Sequence, residues 1–195
     1  MTHQKATYPR IFLIRHGKPL VSDKGFFDHR RAAQFFADYD AAGVEQFDRI
    51  LADVDFSQPR QVHCSTLQRA KSTAQMLFGE QMPLVENAMF REFERKALKL
   101  PFLRLPIKWW QVLTRVLWLL GLNSNGIEPF AEARKRAAVG AGVLAAEARK
   151  EGMAVLVAHG FLIRFLVRAL KQQGWKGLKK ADRGFLGVYE LVLEV

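Results

Sequence analysis

The chain has 195 residues, 49% of them hydrophobic, and a formal net charge of +11. This length and composition predict one domain, residues 1–195, with one sizeable core, and the single cysteine excludes a disulfide within the chain. The first residues lack the apolar core of a signal peptide, so we expect a cytoplasmic protein.

The first predicted element is a short buried strand, residues 11–14, which runs directly into Arg15, His16 and Gly17. Glycine permits a sharp exit from the strand, and open α/β sheets bind their ligands at the carboxyl ends of strands. The arginine fork matches phosphate oxygens, and histidine can act as nucleophile, acid or base near neutral pH. The pattern therefore indicates a phosphate site.

The loop after Gly17 contains Lys18, Ser22 and Lys24, which we expect to reach a bound substrate. The next predicted element is a helix over residues 28–42. Its apolar residues recur at helical spacing and predict one buried face, made of Ala32, Phe35, Phe36 and Tyr39.

A second motif follows a short apolar run at residues 62–64. Ser65 or Thr66 is expected to cap a helix with one apolar face, and Arg69 falls in its first turn. The helix dipole disfavours a cation there, unless the arginine and the helix end share a bound anion. We expect Arg69 to be such a ligand, and the alternative is an ordinary surface arginine.

Residues 98–122 are rich in tryptophan and leucine and are broken early by Pro101 and Pro106. A helix is predicted over residues 107–120, too short and too interrupted by Lys108 and Arg115 to span a bilayer. We favour a helix packed over the sheet, within a lid or insertion at residues 96–126 above the active site. The alternatives are a dimer contact or an interfacial helix on a membrane surface.

The last third of the chain predicts a long helix over residues 128–150 and an apolar strand over residues 155–158. That strand runs into His159 and Gly160, which begin a mostly buried helix, and a closing strand follows at residues 186–195. Strands and helices alternate throughout. This order predicts a three-layer α/β/α fold with a mainly parallel central sheet.

Charge is unevenly distributed along the chain. Residues 96–195 contain 17 basic and 7 acidic side chains, whereas residues 1–95 are nearly balanced. A basic half suits an anionic substrate, nucleic acid or an anionic membrane. The densest patch, Lys176 to Arg183, has little aromatic interleaving, so we interpret it as a solvated loop and expect no specific nucleic-acid binding.

Three motifs together resemble the histidine phosphatase superfamily, the phosphoglycerate-mutase-like proteins. They are Arg15-His16-Gly17, the Ser65-x-Leu67-x-Arg69-Ala70-x-x-Thr73-Ala74 segment and the late His159-Gly160. The resemblance covers about residues 10–194 and implies the phosphoglycerate-mutase-like fold. It also implies that His16 is the nucleophile and that Arg15, Arg69 and His159 hold the phosphate. We further expect Gly17, Ser22 and Gly160 to contact the substrate.

The resemblance further implies an acidic proton donor after the arginine helix. The matching stretch places Glu92 in this role, with Glu94 as its competitor and Glu86 as a distant one. Members often carry a glycine- and tryptophan-containing turn after the acid, and often asparagine at Ser22. This chain departs from both patterns.

These residues predict a phosphomonoester hydrolase that acts through a phosphohistidine on His16, with Glu92 protonating the leaving group. No cofactor is expected, and the sequence holds no metal-ligand cluster. The substrate would be a phosphorylated small molecule or phosphoprotein. The alternatives are a phosphoglycerate-type mutase, or a noncatalytic phosphoanion-binding module.

Overall fold

The computed structural model of the chain describes residues 8–48, 59–178 and 184–194. Its centre is a six-stranded sheet of short strands. In chain order the strands are β1 (Arg10–Arg15), β3 (Val62–Cys64), β4 (Leu84–Glu86), β6 (Met153–Ala158), β7 (Lys176–Gly177) and β8 (Val188–Val192), and a separate pair joins β2 (Phe26–Phe27) to β5 (Leu105–Pro106). Strands β1, β3 and β6, which lie in the interior of the sheet, are largely buried.

The strand order is β4-β3-β6-β1-β8-β7. Strands β4, β3, β6 and β1 run parallel, β8 is antiparallel to β1, and β7 is antiparallel to β8. The helices are α1 (His29–Ala41), α2 (Gln68–Phe78), α3 (Ile107–Leu119), α4 (Phe130–Glu151) and α5 (Gly160–Gln172), with a single 3-10 turn at Ala88–Phe90. The mainly parallel α/β architecture predicted from the sequence is confirmed.

Successive side chains of β1 point to opposite faces of the sheet, and each face packs against its own layer of helices. Ile11 and Leu13 pack with α4 and α5, whereas Phe12 and Ile14 pack with α2. All four side chains are fully buried. This two-sided burial explains why the strand is a continuous apolar run.

A third apolar cluster lies outside the sheet and joins α1 to the start of α3. Its buried members are Phe27, Ala32, Phe35, Phe36, Ile107 and Trp110. The Trp110 indole N–H donates to the Phe27 carbonyl at 2.8 Å, which fixes the helix on this cluster. The predicted helix at residues 107–120 is therefore packed against α1 along one face.

Two local predictions differ from the structure. Helix α2 begins at Gln68 with Leu67 as its cap, because the Ser65 N–H still donates to Val157 in the sheet. Ser65 Oγ accepts the Leu67 N–H at 3.2 Å instead of capping the helix. Lys176 lies in strand β7 and not in a loop, and it forms an ion pair with Glu194. Lys179, Lys180 and Arg183 lie outside the described residues.

Across the described ranges, no helix has the length and apolarity needed to cross a membrane.

Two glycines in α4 differ in the space around them, and this difference gives a stability prediction. A Cβ at Gly140 would lie 3.1 Å from Cε1 of the buried Phe90 ring, whereas a Cβ at Gly142 would meet nothing within 4 Å. Alanine favours a helix over glycine by about 0.5–1 kcal/mol, and overpacking costs about 1–3 kcal/mol. We expect Gly142→Ala to raise the free energy of unfolding and Gly140→Ala to lower it in denaturant titrations. Equal stabilisation by both variants would contradict the close packing at Gly140.

Candidate active site

The site forms where β1 and β6 end side by side. The parallel register pairs Arg15 with Ala158, so the residues that follow each strand emerge at the same sheet edge. The His16 N–H donates to the Ala158 carbonyl at 2.9 Å, and the His16 and His159 ring centroids are 5.1 Å apart. The two strand-to-His-Gly turns of the sequence therefore build one site.

His16 is held as a neutral imidazole with one nitrogen free to react. Its side chain is 2% exposed, and Nδ1 lies 2.7 Å from the Gly17 carbonyl, to which it donates. Burial, with Arg69 and Arg15 nearby, lowers the pKa of His16 to about 3. The proton on Nδ1 leaves the Nε2 lone pair available as a nucleophile.

Arg69 is a fully buried cation with unfilled hydrogen-bonding capacity. Nη1 donates to the Tyr39 carbonyl at 2.7 Å and lies 3.1 Å from Asp40 Oδ1. Nε and Nη2 are buried and meet no hydrogen-bond partner among the described residues. Since orphaned buried donors are costly, a ligand anion is the natural partner for them. Burial also lowers the pKa of Arg69, because removal from water disfavours the charged guanidinium.

Gly17 ties the end of β1 to the arginine helix. The Gly17 N–H donates to Thr73 Oγ1 at 2.9 Å, and the Thr73 hydroxyl donates to the Arg69 carbonyl at 2.6 Å. This chain of bonds connects the loop of His16 with the helical turn that carries Arg69. Gly17 and Thr73 therefore hold His16 and Arg69 in position relative to each other.

Arg15 and Gly160 fit together across the sheet edge. The Arg15 guanidinium lies over the Phe185 ring, with Cζ 4.3 Å from the ring centroid. A Cβ at Gly160 would lie 3.0 Å from Arg15 Nε, so glycine leaves the space that the arginine occupies. Both residues line the cavity described below.

His159 is also buried and neutral. Its side chain is fully buried, and burial together with Arg69 lowers its pKa well below the ordinary value. Within the described part of the chain, neither ring nitrogen has a hydrogen-bond partner. A neutral imidazole carries one N–H, which can donate to a bound oxyanion.

Of the three candidate acids, Glu92 alone lines the cavity. Its carboxylate accepts the Phe161 and Leu162 N–H groups at 3.1 and 3.0 Å, at the N-terminus of α5. Glu94 accepts the Glu128 N–H at 3.1 Å, and Glu86 pairs with Lys71 at 2.9 Å. The helix N-terminus thus fixes Glu92 near the histidines and leaves Glu94 outside.

The loop residues expected to reach the substrate lie elsewhere. Ser22 is exposed and lines a separate groove with Phe27 and Arg31. Lys18 pairs with Glu45 at 2.7 Å, and Lys24 is exposed and does not line the cavity. The structure therefore brings Gly17 and Gly160 to the site but not these three side chains.

The cavity has a volume of about 480 Å³ and is strongly cationic. Four of its cations were not singled out from the sequence as ligands: Arg95, Lys108, Arg115 and Arg164. Arg115 donates to the Phe93 and Glu94 carbonyls at 3.0 and 3.3 Å, and burial lowers its pKa to about 10. The basic excess of residues 96–195 was the one sequence signal that pointed to Lys108, Arg115 and Arg164, and it does not include Arg95.

Helix α3 forms one wall of this cavity through Lys108, Gln111, Val112, Arg115 and Val116. Phe161 and Tyr39 each lie between two cations. Arg115 and Arg164 are 4.5 and 5.9 Å from the Phe161 centroid, and Arg69 and Arg95 are 4.8 and 5.1 Å from that of Tyr39. A role of residues 96–126 as a lid stays a prediction.

The cavity thus combines a buried pair of neutral histidines, two buried or stacked arginines and one carboxylate, groups whose chemistry suits a bound oxyanion. The family model of the histidine phosphatase superfamily (branch 1) matches residues 11–194, so the chain belongs to this superfamily. No curated protein sequence matches the chain significantly.

Solved structures with this fold include a phosphoglycerate mutase from Bacillus anthracis, with a TM-score of 0.59, 18% identity and coverage of 93% of this chain and 86% of that one. A mycobacterial glucosyl-3-phosphoglycerate phosphatase has a TM-score of 0.56 at 20% identity, covering 93% and 92% of the two chains. The ecdysone phosphate phosphatase from Bombix mori has a TM-score of 0.56 at 16% identity, covering 95% and 92%. At these identities the likeness establishes the fold.

The buried neutral His16 predicts a pH dependence of stability. Its pKa is about 3 when folded against an ordinary 6.5, so the unfolded chain binds more protons between these values. The free energy of unfolding should therefore fall as pH is lowered from about 6.5 toward 3. In His16→Asn this slope should be smaller by up to about 1.4 kcal/mol per pH unit, measured by denaturant titration at several pH values. Identical slopes would contradict burial of a neutral His16.

Proposed function

We propose that the protein is a metal-independent phosphomonoester hydrolase acting through a phosphohistidine on Nε2 of His16. The observation that carries this proposal is that a neutral imidazole shares its cavity with two buried Arg69 donors that have no partner among the described residues. A phosphate dianion supplies both the acceptors that Arg69 lacks and the electrophile for His16. Two solved structures of the same fold are complexes with tungstate and VO₃, oxyanions that resemble phosphate.

In the first step, Arg15 and Arg69 hold the phosphate oxygens, and the neutral His159 donates one N–H to an oxygen. Nε2 of His16 attacks phosphorus as the bond to the leaving oxygen breaks. Positive charge develops on the imidazole, and the Gly17 carbonyl at Nδ1 stabilises it. The glycine carbonyl thus orients the ring and supports the charge of the intermediate.

Glu92 is suited to the proton transfers of both steps. Protonated Glu92 gives its proton to the departing oxygen, and the resulting carboxylate then takes a proton from the attacking water. The water oxygen bonds to phosphorus, the phosphorus–nitrogen bond breaks, and phosphate leaves with His16 restored. The backbone N–H groups of Phe161 and Leu162 keep the carboxyl group in place throughout.

A phosphoglycerate-type mutase is the second candidate, and the cationic cavity favours it. Arg95, Lys108, Arg115 and Arg164 lie beyond the arginines assigned to the phosphate and would suit a substrate with a second anionic group. Such an enzyme would return the phosphoryl group of His16 to an acceptor hydroxyl. Product analysis distinguishes the two reactions, since hydrolysis releases inorganic phosphate and transfer gives a phosphorylated acceptor.

The test of the proposal is hydrolysis of 4-nitrophenyl phosphate in the presence of EDTA by the wild type and His16→Ala. We expect turnover in the wild type and a loss on the order of 10³-fold or more in the variant, because the nucleophile is gone. Circular dichroism checks that the variant is folded. No wild-type turnover, with phosphate binding retained by calorimetry, would point to a noncatalytic phosphoanion-binding protein.

Glu92→Gln tests the proton donor, with Glu94→Gln as its matched control. A poor leaving group needs a proton, whereas 4-nitrophenolate leaves without one. We therefore expect Glu92→Gln to lower kcat on an alkyl phosphate by about 10²–10⁴-fold, with a smaller loss on 4-nitrophenyl phosphate. Glu94→Gln should leave the ratio of the two rates unchanged. The reverse pattern would assign the donor to Glu94.

A further inference from the structure

Helix α3 has an exposed apolar face that its packing on α1 leaves unused. Trp110 and Trp118 are buried on the inner face, whereas Trp109 is 54% exposed on the outer one. Exposed apolar residues then recur three or four positions apart, as one line along a helix. This line, the α3 stripe, consists of Trp109, Val112, Val116 and Leu120.

Exposed aromatic residues lie next to the beginning of this helix. Phe102 stands at a turn with its side chain 101% exposed, and its φ of +67° is costly for a bulky residue. Phe26, also exposed, pairs in register with Pro106, the residue directly before α3. The sequence therefore places apolar side chains in solvent on two neighbouring segments besides the helix.

The charge of the same region is of one sign. Residues 95–127 contain six basic side chains and no acidic one. Arg95, Lys108 and Arg115 line the cavity. Lys108 is also exposed, as are Lys96, Lys99 and Arg104. An apolar stripe beside exposed cations is the pattern of a helix that lies in the interface of an anionic bilayer.

We propose that the α3 stripe is a docking surface for an anionic lipid bilayer. A second copy of the chain fits this surface poorly, because it would bring the four exposed cations of each copy together. Val112 and Val116 belong both to the stripe and to the cavity lining. Docking therefore turns the mouth of the cavity toward the lipid headgroups.

The tryptophans make this proposal directly measurable. The chain has four, and Trp110, Trp118 and Trp175 are each at most 2% exposed. A blue shift of emission on adding vesicles thus reports Trp109. With vesicles of phosphatidylcholine and about 30% phosphatidylglycerol we expect this shift, and we expect it to be absent in Trp109→Phe.

Sedimentation with the same vesicles measures the affinity. We expect the wild type to bind about 100-fold more tightly than to pure phosphatidylcholine, with the difference shrinking at high salt because the attraction is screened. Val116→Gln should weaken binding to anionic vesicles by about tenfold, since it places an amide in the apolar boundary. Val139→Gln, the same change at an exposed position of α4, is the matched control and should not.

Three results would overturn the proposal. The first is no sedimentation with anionic vesicles at low salt. The second is equal weakening by Val116→Gln and Val139→Gln, which would make the attraction one of overall charge. The third is a wild-type dimer in light scattering that Val116→Gln dissociates, which would assign the stripe to a second copy.

Discussion

Parallel pairing of β1 with β6 is the constraint on which the site depends. Residues of β1 alternate between the α4–α5 side and the α2 side of the sheet, so a slip by one position would turn a full set of buried side chains to the wrong layer. The fixed register makes the two strands end together at Arg15 and Ala158. His16 and His159 then meet without any contact dedicated to bringing them together. The packing of the core therefore determines the relative position of the two histidines.

The buried arginine and histidines of the site lower the folding stability of the protein without a ligand. Arg69 is fully buried with only part of its hydrogen-bonding capacity filled, and two histidines are kept neutral by burial and by the arginines around them. Each of these arrangements costs folding free energy and is compensated by the apolar core on both faces of the sheet. The dianion of the proposed reaction would supply the missing acceptors and offset part of this cost.

Local patterns in the sequence were enough for the strands at residues 11–14 and 155–158 and for the histidines that follow them, because a buried strand and a glycine turn are encoded by neighbouring residues. Glu92 was assigned through resemblance, since its stretch has no periodicity, and the structure places it at the N-terminus of α5. Ser22 illustrates the limit: its loop has no packing pattern, and it lies at a different groove. Arg115 was interpreted as a polar interruption of a helix, because its partners are backbone carbonyls about twenty residues earlier in the chain.

Helix α1 connects the phosphate site to the tryptophan-rich segment. Its last turn offers the Tyr39 carbonyl to Arg69, while its apolar face holds Ile107 and Trp110 at the start of α3. The orientation of the Arg69 guanidinium and the position of α3 thus both depend on α1. A changed segment at the start of α3 therefore has to fit a helix that also holds Arg69. Divergence in substrate preference along this lineage should therefore leave paired changes in α1 and α3.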